Sequence, residues 1–241
     1  MQSFADPLSS SYARWTGLFY LGIAVAGGFS IAYVPSQIVV QGDAAATVAN
    51  IVGRNGLYQL GLAADVVVMV FELFAVAMLY FMFRGVSKTL SFAAAMARLS
   101  MVSVMSAMLF FHAGASLLAQ SDQVMLSFTS DQRADLAGLF LEMHRAGVWI
   151  WQLFFTVHLL LLGYLVTKSG RFPVLLGYGL MIGAMGYVLD SVYAFAFPDV
   201  AWLGAFRAGL LAIVTLSEIG FALWLLIRAP KAPALVKGAV A

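Results

Sequence analysis

Cysteine is absent from the 241-residue chain, which excludes disulfides, thiolate metal sites and a cysteine nucleophile. Charge is scarce as well: Asp, Glu, Lys and Arg make up 10% of the residues, against roughly a quarter in soluble domains. That fraction cannot cover a water-facing surface, so an ordinary cytosolic enzyme is excluded, and so little polarity excludes a disordered chain. Histidine occurs three times, which limits imidazole chemistry to His112, His144 and His158. The net charge is +2 with no dense Lys/Arg run, so nucleic acid is not an expected partner. What is abundant is apolar: 63% of residues are hydrophobic and the mean hydropathy is +0.95. This composition belongs in a lipid bilayer.

A membrane-crossing helix needs about 20 mostly apolar residues. Six stretches qualify, at 16–38, 57–83, 91–119, 138–167, 174–197 and 203–227. None alternates polar and apolar residues as a barrel strand would, so the expected fold is all-α, a six-transmembrane-helix bundle in one membrane domain over 1–241. Pro35 is expected to end or kink the first span. Asp43 and Thr47 can cap a short helix running through Asn50 and Arg54, Ser130 or Asp131 can cap the fourth span, and Pro173 suits the first helical position of the fifth.

Basic residues alternate across the links. The N-terminus, second and fourth links and C-terminal tail carry Arg14, Arg84, Lys88, Lys168, Arg171, Arg228, Lys231 and Lys237 against one acid, Asp6. The other three links carry Arg54, Arg133, Arg145 and Arg207 against Asp43, Asp122, Asp131, Asp135, Glu142 and Asp199. Eight basic residues against four predict that both termini of this multi-pass protein are cytoplasmic. A signal peptide cleaved after Ala24-Val25-Ala26 would leave five helices and reverse that logic.

Ionisable residues inside spans are costly and face the bundle interior, where they pair or function. Here they are Asp65, Glu72, Arg98, His112, His144, His158, Asp190 and Glu218. Asp65 and Glu72 share a stripe with Tyr58 and Gly61, and the fourteen-residue spacings of Arg98 to His112 and His144 to His158 place each pair within about 40° of one face. Counting about 1.5 Å per residue puts Glu72, His158 and Glu218 in one layer near the midplane, with Asp65, His112 and Asp190 further out and His144 and Arg207 near the outer surface. Four deep carboxylates then face Arg98 as the one deep permanent cation, so this core is expected to hold a proton or a bound cation. Gly179, Gly183 and Gly186 form a small-residue face beside Asp190 that predicts a close helix contact.

Several local patterns go together: Arg14 with Gly17, Thr47-Val48-Ala49-Asn50-Ile51, Asp65 with Glu72, Leu79-Tyr80 with Arg84, and Arg98. His158 through Gly163-Tyr164-Leu165, Ser169-Gly170, Pro173 and Leu176-Gly177 is the most specific stretch, and Glu218 with Trp224-Leu225 closes the set. In these the chain resembles the six-helix membrane family known as domain of unknown function 4386, although Asp would suit position 72 as well as Glu. The resemblance implies one six-helix domain in a bacterial inner (plasma) membrane and supplies no reaction, ligand or catalytic residue.

Three functional readings follow. A small permease or proton- or cation-linked carrier would use the titratable series Asp65, Glu72, His158 and Glu218, with a small molecule, proton or cation as partner. A metal-dependent intramembrane enzyme would use Glu72, His158 and Glu218 to bind zinc or iron, although no HExxH motif is present. A haem or quinone protein would use His144 and His158 with His112 as a partner ligand, which allows one bis-His site at most. The carrier is the expected function; whether the chain is an enzyme, which cofactor it holds and its oligomeric state are not written in the sequence.

Overall fold

The computed structural model describes residues 6–120 and 125–228. Asp122, Lys231 and Lys237 of the charge pattern lie outside the described residues, as does Ser121 at the head of the third link. All regular structure among the described residues is helical. Six helices are long and apolar enough to cross a membrane: α1 (Ser10–Ile38), α3 (Asn55–Phe83), α4 (Lys88–Gln120), α5 (Ser130–Lys168), α6 (Val174–Ala196) and α7 (Ala201–Ile227). The short α2 (Ala44–Gly53) follows α1.

Local chemistry sets the helix ends. Ser9 caps α1 by accepting from Tyr12 N, so the helix starts six residues before the apolar run does. Pro35 does not end it. The ladder widens into a π turn over Gly28–Tyr33, with Val34 N–H donating to Phe29 O, and the helix continues to Ile38. A proline lacks the N–H and crowds the carbonyl four residues back; the widened turn just before it accommodates both effects. Asp43 caps α2 as expected, accepting from Ala46 N at 2.8 Å. Thr47 is not a cap; its hydroxyl accepts from Val40 N at 2.9 Å and donates to Asp43 O at 2.8 Å, fastening the incoming loop. Helix α5 is capped by Thr129 rather than Ser130 or Asp131, because Thr129 and Gln132 complete a reciprocal capping box. Pro173 is the N-cap of α6, one position earlier than expected.

The spanning helices pack in a closed ring: α1 against α3 and α7, and each of α3 through α7 against its neighbours in sequence. Three contacts place the start of α1, the end of α3, the α5–α6 loop and the end of α7 at one end of the bundle. Tyr12 Oη donates to Met78 O (3.3 Å), Trp224 Nε1 donates to Arg171 O (3.3 Å), and Asp6 lies close enough to Arg171 to act on its charge. Burial pulls the Arg171 guanidinium below its ordinary value, and Asp6 acts in the opposite sense. This terminal end is filled by an apolar plug in which Phe83, Phe172 and Phe221 stack in series at 5.7 and 5.2 Å beside Leu159, Leu162 and Leu225.

The expected glycine contact is present between α6 and α7. A Cβ on Gly183 would lie 2.6 Å from Val214 Cα, and one on Gly186 would lie 2.8 Å from Leu211 N. Backbones approach this closely only where side chains are missing.

Candidate functional site

Each spanning helix sends one polar side chain into the middle of the ring: Tyr20 from α1, Glu72 from α3, Arg98 from α4, His158 from α5, Tyr187 from α6 and Glu218 from α7. Arg98 is at the centre and is 1% exposed. It grips Glu72 with two parallel bonds, Nε to Oε2 at 2.5 Å and Nη2 to Oε1 at 3.1 Å. This fork geometry is the strongest way to pair a guanidinium with a carboxylate. The Arg98 Nη1 bonds His158 Nε2 at 3.0 Å, and His158 Nδ1 bonds Ala94 O at 2.9 Å. A carbonyl can only accept and a guanidinium can only donate, so Nδ1 carries the proton, Nε2 accepts and the ring is neutral. Tyr20 and Phe155 lie beneath the guanidinium at 4.7 and 5.4 Å, adding cation–π attraction.

Glu218 is held differently. Its Oε1 accepts from Tyr20 Oη at 2.9 Å and its Oε2 from Tyr187 Oη at 3.3 Å. Both donors are neutral phenols, and among the described residues no cationic group forms an ion pair with it. Glu72 and Arg98 cancel, so the charge of Glu218 is the one left over in this layer. Its carboxyl faces a cavity of about 300 Å³ that Glu72, Arg98, Trp151 and Tyr187 also line.

The outer layer resolves into two groups. Asp65 Oδ2 lies 3.7 Å from His112 Nδ1, and the His112 ring stacks on His144 at 3.5 Å and 9°. Across the bundle Asp190 pairs with Arg207 and accepts from Gln152 Nε2 at 3.1 Å. This corrects two expectations. Arg207 reaches inward to Asp190 and does not stay at the outer surface, so Arg98 is not the one deep cation. His144, expected nearer the outer surface than His112, stacks directly on it.

The geometry also bears on the two cofactor readings. Glu72, His158 and Glu218 do converge on one network, but Arg98 occupies the fork of Glu72 and the lone pair of His158. No group of three His, Asp or Glu among the described residues is arranged to hold a metal. For a haem, the His112 and His144 rings stack too closely to admit a macrocycle between them, and His158 Nε2 is taken.

A larger cavity of about 530 Å³ opens at the far end, lined by Tyr58, His112, His144, Trp149 and the last turns of α1. Between the two lies a neck of about 20 Å³ bounded by Asp65, Met69, Met105, Met108 and Trp151. Ile31 borders all three spaces. Three spaces bordered by Ile31 thus lie in series between the far end and the inner network, and the phenylalanine plug fills the terminal end.

Sequence reasoning does not single out Tyr20, Tyr187 or Phe155. A usable signal existed for the tyrosines: both are mid-span, away from the interfaces where Tyr is ordinarily found.

The family described as Domain of unknown function (DUF4386) matches residues 15–229. An uncharacterised protein of Archaeoglobus fulgidus is 37% identical over 79 residues, which is 33% of this chain and 44% of that relative. The chain therefore spans less than half the length of the curated relative it matches. No solved structure matches.

Proposed function

The chain belongs to the DUF4386 family, whose description assigns no activity, and from its geometry we propose that it is a small membrane carrier in which Glu218 alternately holds a proton and a cationic ligand. One observation carries this reading. Of the two carboxylates in the inner layer, Glu72 is spent on Arg98 while Glu218 faces a cavity with only phenol donors. An ionised carboxylate in so apolar a place is costly without a countercharge, so it takes up a proton or a cation. Occupation by one excludes the other, and that exclusion is the coupling a proton-linked carrier needs. Neutral His158 and the Glu72–Arg98 pair are the fixed frame that positions the site.

The cavities support access from the far end in the conformation seen here, with the phenylalanine plug closing the other. The basic bias of the links supports a cytoplasmic membrane with the terminal end on the cytoplasmic side.

Infrared difference spectroscopy across a pH step tests the proton half of the reading. The wild type should show a protonated-carboxyl stretch that Glu218→Gln removes and Asp65→Asn retains. The carrier half is tested in proteoliposomes loaded with a pH-sensitive dye and offered a panel of inorganic and organic cations. A cation-dependent proton flux that Glu218→Gln abolishes supports the reading. Flux no greater than in protein-free vesicles for every cation overturns it.

A further inference from the structure

The inner cavity has a side opening as well as its neck toward the far end. Helices α1 and α7 are tightly packed near the terminal end, where a Cβ on Gly17 would lie 2.8 Å from Ala222 O. Beyond that point the cavity lies between them. On its rim Ala24, Gly28 and Ile31 of α1 and Thr215 and Ile219 of α7 are exposed. These residues are central in helices running Ser10–Ile38 and Ala201–Ile227, so the opening faces the hydrocarbon core of the bilayer.

A bare ion cannot take that route, because leaving water without a countercharge costs too much. A molecule with an apolar body can. The cavity matches such a molecule along its length: the rim and walls are apolar, with Leu21, Val68, Met101 and Met105 among them, while the deep end holds the Glu218 carboxylate. Trp151 and Tyr187 lie beside that carboxylate with their rings 6.2 Å apart, and aromatic faces next to an acid suit an ammonium group. About 300 Å³ is small for a ligand site, enough for a head group and the first part of a chain whose remainder stays in lipid.

We propose that the carrier's cationic ligand is an amphiphilic amine taken laterally from the bilayer, its ammonium on Glu218 and its alkyl chain leaving between α1 and α7. This rests on the reading of Glu218 as an exchangeable cation site and adds the ligand class and the route.

A variant with Trp15, Trp149, Trp202 and Trp224 changed to Phe leaves Trp151 as the sole tryptophan, excited selectively over tyrosine at the red edge of the indole band. Its quenching by decylamine dibrominated near mid-chain, in detergent solution, reports occupancy, with decanol and decanoate brominated at the same carbons as chain-matched controls. Saturable quenching by the amine is expected, weakened about tenfold or more by Glu218→Gln, since a hydrogen bond to a charged group is worth about that factor. Gly28→Leu is a second, independent test: Gly28 is in ordinary helical conformation and a Cβ there meets nothing within 4 Å, so leucine fits without strain and fills the opening. It should abolish quenching by the amine while leaving the melting temperature unchanged.

Equal quenching by decanol or decanoate, or an amine affinity unaffected by Glu218→Gln and by Gly28→Leu, overturns the proposal. Binding needs no gradient, so the two readings fail separately. Saturable amine binding without flux removes the carrier and leaves the amine site, whereas flux without amine binding does the reverse.

Discussion

Replacing Arg98 by methionine removes the hub of the inner layer, and the consequence can be worked from its contacts. Arg98 is 1% exposed and Glu72 3% exposed, so the charges are almost fully withdrawn from water. At an effective dielectric near 20, two unit charges about 4 Å apart attract by about 4 kcal/mol. Removing one partner of a buried pair typically costs about 3–5 kcal/mol, because the other is left uncompensated. Arg98→Met also removes the donor to His158 Nε2 and leaves Glu72 without its partner. It should therefore fall at the upper end of that range. Glu72→Gln should cost less, since the amide still accepts from Arg98 and Glu218 can take over part of the countercharge. The double variant Glu72→Gln/Arg98→Met should be more stable than Arg98→Met alone, because no buried ion loses its partner. The assay is a double-mutant cycle on unfolding in mixed detergent, followed by far-ultraviolet circular dichroism. Costs that simply add, or an Arg98→Met cost below about 1 kcal/mol, would refute a buried pair at the centre of the ring.

Gly183→Ala should destabilise by about 1–3 kcal/mol because its Cβ runs into the α7 backbone, and Gly183→Leu by more; an unchanged melting temperature for both would show that α6 and α7 do not touch there. Asp190→Asn should cost about 2 kcal/mol through its bonds to Arg207 and Gln152. Glu142→Gln should cost at most about 0.5 kcal/mol, its pair with Arg145 being half exposed at 51% and 52%, so a reversed order in chemical denaturation would contradict the assigned burial. Cysteines introduced singly at 88 and 125, in a chain that has none, should react with an impermeant maleimide from the cytoplasmic and the external side respectively, and the opposite labelling would invert the orientation.

The six spans were legible because length and apolarity alone specify a membrane helix, whereas their ends depend on single hydrogen bonds. α1 runs back to Ser10 through a cap on Ser9, and α5 begins at a box between Thr129 and Gln132 in a stretch where Ser130 and Asp131 are equally good caps by residue type. Pro35 shows the same limit from the other side. Proline forbids one hydrogen bond, but whether the helix stops, bends or widens depends on the neighbours, and here Gly28–Tyr33 can relax into a π turn.

The stripe of Tyr58, Gly61, Asp65 and Glu72 was legible for the same reason as the spans, since periodicity survives from sequence to structure; all four residues are buried. Pairing was not legible, because it depends on how far a side chain reaches across the ring. Arg207 begins near the end of its helix, yet its long side chain brings the guanidinium to Asp190. That single reach alters the charge balance. With Asp190 answered by Arg207, Asp65 facing His112, and Glu72 held by Arg98, the acid excess expected at the deep positions narrows to Glu218. Glu72 and Glu218 are indistinguishable as letters in a sequence and share a depth in the membrane. They are told apart by what Arg98 can touch: its fork has room for one carboxylate, and the one it leaves out faces the cavity. In the proposed carrier, structural pairing of the first acid is what leaves the second available for exchange, and the two proposed roles stand or fall together in the variants of Arg98.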